Sequence, residues 1–227
     1  MSATPTTDGR RKAAAARRRA RQAEIINATR ALLDERGVRD AQIEDVARAV
    51  GINRAIIYRH FSGKEEIFAL TMVGYLQDLG VRLDRADDRE AAPAERLRAV
   101  TEAFVDFGME YPAFVDCALT LMRRPGPELL DEVSESAMFR LGRAITTCLE
   151  HVVAPLERGN ESGDFRVADP MLLANTLYAT GLGGLQLARL GILVRASAPG
   201  VPEVAALSTD DVKGYLVRAA LSLAAAP

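Results

Sequence analysis

The chain has 227 residues, enough for one mid-sized domain or two small ones, and its 48% hydrophobic and 26% charged content is that of a soluble globular protein. Only 5% is aromatic and there is no Trp, while Ala, Leu and Arg dominate, which favours helix and predicts an all-α fold. The net charge of −2 conceals two unlike halves: residues 1–64 carry 14 Lys/Arg against 7 Asp/Glu, a net of +7, and residues 65–227 carry 15 against 24, a net of −9. A basic head on an acidic body points to a polyanion at the head, a solvated run of charge being the alternative.

Residues 1–16 are polar, Ala-rich and unpatterned, which predicts a disordered basic arm. Seven basic residues and no acid lie between Arg10 and Arg21. Ile25, Thr29, Leu32 and Leu33 then recur at helical spacing, and Gly37 follows as a cap, giving a first helix over 18–36. Ile43, Val46, Ala47 and Val50 share one face of a short second helix over 43–50, which Gly51 ends. Asn53 is the N-cap of a third over 54–60, with Ile57 and Phe61 facing inward. Ser62 and Glu65 form a capping box that opens a fourth helix, carried to about residue 86 by Ile67, Leu70, Thr71 and Leu79.

Longer helices follow. Leu97, Val100, Phe104, Phe107 and Tyr111 stripe a helix over 93–109. Pro112 starts the next, over 112–124, before a break at Pro125-Gly126-Pro127. Val133, Ala137, Leu141, Ile145, Cys148 and Val152 mark one long helix over 128–157. Residues 158–168 read as a loop, Asp169-Pro170 opens a helix over 170–190, 193–207 read as a loop, and Ser208 to Asp211 start a last helix ending near Leu223.

Two short helices joined by a glycine turn, behind a longer helix, match a helix-turn-helix over about 42–61. The second short helix would lie in the major groove of duplex DNA. The segment from Ile43 to Ile67, above all Tyr58-Arg59-His60-Phe61 followed by Lys64-Glu65, resembles the TetR family of one-component regulators. The close resemblance covers about residues 19–80. It implies a helix-turn-helix DNA-binding domain over 17–63 and a C-terminal ligand-binding and dimerisation domain over 64–227. It also implies phosphate contacts by Tyr58, His60 and Lys64, a backbone contact near Gln42, and groove-facing positions at Asn53, Arg54, Ala55 and Ile56. Three positions depart from the family pattern. Gln42 stands where Thr often caps, Ala55 where Gly is common, and Ile56 where a small hydroxyl residue is common. Ala55 and Ile56 can meet only thymine methyls or exclude bases sterically, so polar reading of bases falls to Arg54 and Asn53. The arginines at 17–21 are either an arm that reaches DNA or an idle run.

The helix at 170–190 is apolar or small on nearly every side and must be buried all round. Burial against a second subunit achieves this, with Gly181, Gly184 and Ala188 meeting Tyr215, Leu216 and Ala219 of the last helix; the alternative is the centre of a monomeric core. Phe104, Phe107, Tyr111, Phe114, Cys117, Met122, Met138 and Tyr178 supply adaptable bulk for a cavity holding a small apolar effector, or else plain core. The resulting reading is a homodimeric regulator, a repressor released from a palindromic operator by its effector. A constitutive DNA binder without an effector is the second reading.

Other classes are excluded. No catalytic arrangement is evident, since His60 and His151 lie in unrelated segments. Cys117 and Cys148 read as buried reduced thiols without ligand spacing, so neither metal nor cofactor is expected. No apolar signal core follows the basic N-terminus. The uncharged stretch 170–188 carries Asn175, Thr176, Thr180, Gln186 and three glycines, against a membrane span. The expected location is the cytoplasm.

Overall fold

A computed structural model describes residues 7–38 and 40–225. Ten helices and one hairpin are present among them: α1 Thr7–Arg36, α2 Ile43–Val50, α3 Arg54–Tyr58, α4 Lys64–Ala86, α5 Pro93–Glu110, α6 Pro112–Met122, α7 Gly126–Glu132, α8 Glu135–Ser162, α9 Pro170–Leu190, β1 Ile192–Ala198, β2 Val201–Ala206 and α10 Thr209–Ala225. The all-α expectation therefore holds for the architecture, with the hairpin added. No helix among the described residues is long and apolar enough to cross a membrane.

The head is α1 to α3. α1 begins at Thr7, so the arm expected to be disordered is helical over residues 7–16, and the rest of that expectation lies outside the described residues. The reason is propensity: the alanines and arginines between Arg10 and Arg21 are strong helix formers and extend a helix already nucleated on Ile25 and Leu33. Residues 10–20 are nevertheless exposed throughout. Gly51 takes the left-handed turn at φ 69°, where a Cβ would be strained, and Ile52 donates to the Ala47 carbonyl at 2.9 Å. α3 ends two residues earlier than its pattern predicts. His60 donates to Ile57 at 2.9 Å and Arg59 to Ile56 at 3.2 Å, a tightened last turn.

α4 leads from the head into the body and packs there against α5, α6 and α8. Tyr75, Leu76, Leu79, Phe107 and Phe114 are fully buried around it. Tyr75 donates to Asp34 at 2.6 Å, and the Arg30 guanidinium lies 4.3 Å from the Tyr75 ring and 2.6 Å from Asp78. These contacts tie α1 to α4. The cap of α4 differs from the expected pair of Ser62 with Glu65. Gly63 is the capping residue without a side-chain bond, and Ser62 donates from N and Oγ to the buried Glu66, at 2.5 and 2.7 Å. Ser134 Oγ donates to the other Glu66 oxygen. Glu65 instead meets Arg124 at 3.1 Å.

The predicted single helix over 128–157 is two. Val133 is extended (φ −118°, ψ 132°), and Ser134 caps α8 through the Ala137 amide; Ser134 is the cap that the apolar periodicity concealed. α8 then passes Pro155 and ends at Ser162, consuming part of the predicted loop at 158–168. Gly159 is required there, because a Cβ would lie 2.1 Å from the Phe165 ring. The second predicted loop, 193–207, contains the hairpin. Its antiparallel register pairs Val194 with Val204 and Arg195 with Glu203. Ile192, Val194, Val201 and Val204 favour strand and Gly200 turns at φ 77°. Pro202, which removes a donor, hides the second strand from a reading by pattern.

Candidate DNA-binding and effector sites

The exposed start of α3 presents Asn53, Arg54 and Ala55 to solvent, with Ile56 half-buried beside them. Asn53 Oδ1 accepts from the Ile56 amide at 3.0 Å, so the expected cap is formed and the side-chain amide group keeps its donors. Arg54, expected to face the groove, is engaged within the head. Its Nη1 lies 2.8 Å from Glu44 Oε1, its Nη2 donates to the Tyr58 hydroxyl at 3.3 Å, and its guanidinium lies 5.2 Å from that ring. The Tyr58 bond and charge, followed by Glu44, raise the Arg54 pKa. Glu44 was absent from the expected site. Its spacing of ten residues from Arg54 bridges two helices and carries no local signal.

Tyr58 is 40% exposed. Gln42 is exposed at the N-cap of α2 and makes no side-chain cap bond, in keeping with the lost Thr. Lys64 stands at the start of α4 with its Nζ 5.0 Å from the Phe68 ring. His60 is half-buried in a shallow depression with Arg17, Arg18, Arg21 and Glu24. Its Nδ1 is buried without a hydrogen-bond partner among the described residues. Burial, then Arg18, Arg59 and Arg21, lower its pKa. The basic face of α1 and the end of α3 are thus one surface.

In the body a partly open cavity of about 80 Å³ lies between α4, α5, α8, α9 and α10. Of the eight residues expected to line it, Phe104 and Tyr178 do, their rings edge to face at 6.0 Å. Phe107, Phe114 and Cys117 do not. They are fully buried in a packed aromatic cluster, with Phe107 5.2 Å from Phe114 and 4.8 Å from Tyr111. Met138 is partly buried against the core, and Met122 is 52% exposed at the end of α6. The correction has a physical cause. α6 closes tightly on α4, whereas the small residues of α9 leave space on the opposite side of α5. The missed wall residues include Leu76, Cys148, Ala174, Leu177 and Ala220. Burial pushes the Cys148 thiol up to about 12, so it is a neutral wall group.

The residues expected at the dimer interface divide. Gly181, Gly184, Ala188 and Leu216 face the chain's own interior. A Cβ on Gly181 would lie 2.6 Å from Phe104, and one on Gly184 2.9 Å from Leu216; Ala188 and Leu216 are buried. Ala219 is half-buried in the cavity wall, and only Tyr215, 65% exposed, points fully outward. The outward face of α9 is instead Leu172, Thr176, Ala179, Gly183, Leu187 and Leu190, at helical spacing.

Residues 25–70 match the family model described as bacterial regulatory proteins, tetR family. The chain is 31% identical over 80 residues to the HTH-type transcriptional regulator BetI of Brucella anthropi, which covers 35% of this chain and 41% of the relative. It is 34% identical over 80 residues to the HTH-type transcriptional repressor KstR2 of Mycobacterium tuberculosis, covering 35% and 40%. The match spans about two-fifths of these relatives. In fold the likeness is chain-wide: the structure of RolR in complex with resorcinol is similar over 92% of this chain and 90% of that one, with a TM-score of 0.65 at 19% identity. The head therefore carries the DNA-binding segment of the TetR family, and the whole chain shares the fold of the RolR structure.

Proposed function

We propose that the protein is a homodimeric, effector-responsive transcriptional regulator that binds near-palindromic duplex DNA through α3 and the basic face of α1. The carrying observation is the depression that His60, just past α3, shares with Arg17, Arg18 and Arg21 of α1, beside an α3 whose Asn53, Arg54 and Tyr58 are exposed. Side chains around His60 and Tyr58 suit phosphate, and the α3 start suits base edges. The outward stripe of α9 with Tyr215 is the surface offered to a second copy. In this reading a small effector fills the cavity behind Phe104 and Tyr178. Because α4 walls the cavity at Leu76 and Leu79 and enters the head at Lys64, a change in α4 moves the DNA-reading helix. The effector then favours the spacing of heads that does not fit the operator, which makes the protein a repressor relieved by its ligand. It works in the cytoplasm, where operator DNA is.

One observation favours the second reading, a constitutive regulator. The cavity, at about 80 Å³, is small and must open to hold more than a small molecule. The test is capture of genomic fragments, followed by anisotropy on the selected site with Tyr58→Phe and Lys64→Gln. Loss of affinity in both variants, uniform across sequences, is expected because phosphate contacts carry no sequence information. Unchanged affinity in both would overturn the DNA-binding assignment.

A further inference from the structure

A second concavity, of about 770 Å³, runs along the surface between α4 and α8. Its floor is apolar. Val81 is 53% exposed and Phe139 70% exposed, and both line it together with Ala144. Its rim is basic. Arg85 on α4 and Arg140 and Arg143 on α8 surround it, and none of the three makes an ion pair among the described residues. The one acid in the lining, Asp84, is already held by Arg89 at 3.4 Å. The lining histidine, His151, is turned to the buried Asp87 at 3.2 Å.

The groove also shares a wall with the cavity behind Phe104 and Tyr178. Leu76 lines both. Gly80 lines the groove, and a Cβ built there would come within 3.9 Å of Cys148 Sγ, which lines the cavity. The partition is the α4–α8 contact itself, closed by Leu76, Gly80 and Cys148, whose Sγ donates to the Leu76 carbonyl at 3.2 Å. Parting α4 from α8 at this contact would join the apolar chamber to a groove whose rim carries three guanidinium groups.

We propose that the effector is an anionic amphiphile. Its carboxylate- or phosphate-type head sits on Arg85, Arg140 and Arg143, and its unbranched apolar tail crosses the Leu76–Cys148 partition into the cavity. Guanidinium groups bind such heads through charge-assisted hydrogen bonds, and the tail gains the contacts that an empty apolar space lacks. An acidic peptide could lie in the groove but could not enter the chamber, so continuity with the chamber selects a small molecule. This assignment rests on the effector reading above and gives it a chemical class, adding a charged head to the small apolar effector expected from the sequence.

The test uses the full-length protein, with melting and calorimetric titration against decanoate, decyl phosphate, decanol, acetate and an acidic peptide, the amphiphiles kept below their micelle concentrations and decanol below its solubility. Decanoate should raise the melting temperature and release operator DNA. The double variant Arg140→Gln/Arg143→Gln should weaken decanoate about tenfold or more, while leaving decanol binding and DNA affinity without ligand unchanged. Decyl phosphate binding as tightly as decanoate would mark a general anion site, and weaker binding a carboxylate site; either supports the assignment. Equal binding of decanoate and decanol by wild type, unaffected by the arginine substitutions, overturns the head-group site while the effector reading stands. Acetate binding as tightly as decanoate leaves an adventitious ion only and overturns the tail's path. An acidic peptide that competes where decanoate does not bind overturns the proposal in favour of a protein partner. No stabilisation by any probe overturns the amphiphile, and no stabilisation by a wider ligand library overturns the effector reading itself.

Discussion

The Arg54 guanidinium on α3 lies 2.8 Å from the Glu44 carboxylate on α2, so the cation best placed to read a base is held by an acid of the neighbouring helix. Both side chains are exposed, so the pair is worth little to stability; under the proposed DNA binding its weight falls on recognition. Glu44 fixes the direction of Arg54 and repels phosphates that approach from its side. Arg54→Ala should cost about 1–3 kcal/mol of operator binding and relax one base position per half-site. Glu44→Gln should raise binding to unrelated DNA and narrow the gap between operator and non-operator sequences. Selection of sites from a random pool checks both. Retention of the wild-type motif by both variants would remove this pair from recognition.

His60 gives DNA binding a pH dependence of known sign. In the free protein its pKa is lowered from 6.5 by burial and by Arg18, Arg59 and Arg21, so it is neutral at pH 7. A phosphate against it would favour the imidazolium, so binding takes up a proton and tightens as pH falls from about 7.5 toward 5.5. Folding stability runs the other way. The unfolded chain accepts the proton first, at 6.5, so this contribution is present above that value and is lost as pH falls from it toward the folded value. His60→Gln should flatten the pH profile of DNA affinity. An unchanged profile would show that no phosphate reaches this side chain.

The α9 contacts separate a dimer effect from a folding effect. Leu187→Glu on the exposed stripe should yield monomers with a melting temperature near that of a folded single chain. Gly184→Arg cannot report on the interface alone, since its Cβ meets Leu216 of the same chain at 2.9 Å; it should also lower the melting temperature sharply. Sedimentation with thermal melting distinguishes them, and an intact dimer in Leu187→Glu counts against the α9 face.

The two aromatic environments of the body should respond differently to truncation. Phe107→Ala and Phe114→Ala empty a packed cluster and should cost about 3–5 kcal/mol of stability. Phe104→Ala, in the cavity wall, should cost less and enlarge the space that an effector occupies. Chemical denaturation together with ligand titration measures both, and equal losses at all three positions would erase the distinction.

The helix-turn-helix was legible because its signals are local. Gly51, Asn53, Ala47 and the Tyr58–Lys64 run lie within one short segment, and each has its own steric or capping reason. The cavity was misread because periodicity shows which face of a helix is apolar and not which neighbour meets it. Phe104 and Phe107 share a stripe, yet one faces the space beside α9 and the other the packed face of α4. Pairings across long separations were invisible for the same reason: Ser134 with Glu66, 68 residues apart, has no local signal, and the pairing of Gly184 with Leu216, expected across two subunits, falls within one chain. The hairpin was lost to Pro202 and to the habit of reading Pro and Ser as loop.

The thirty-residue span of α1 makes its positive charge a matter of angle as well as number. At about 1.5 Å and 100° per residue, Arg10, Arg17 and Arg21 recur in one row along roughly 16 Å of helix, and the lower two border His60. A tail of random coil would present the same charges in every direction and would tolerate any change in its length. A rod does not. Removing one alanine from Ala13–Ala16 would swing Arg10 about a third of a turn from the row without altering a single charge. Exchanging Ala15 for Ser would keep the phase. DNA affinity that falls in the first variant and holds in the second is the behaviour of a rail laid along the phosphates, and equal affinity in both would return the segment to a plain counterion.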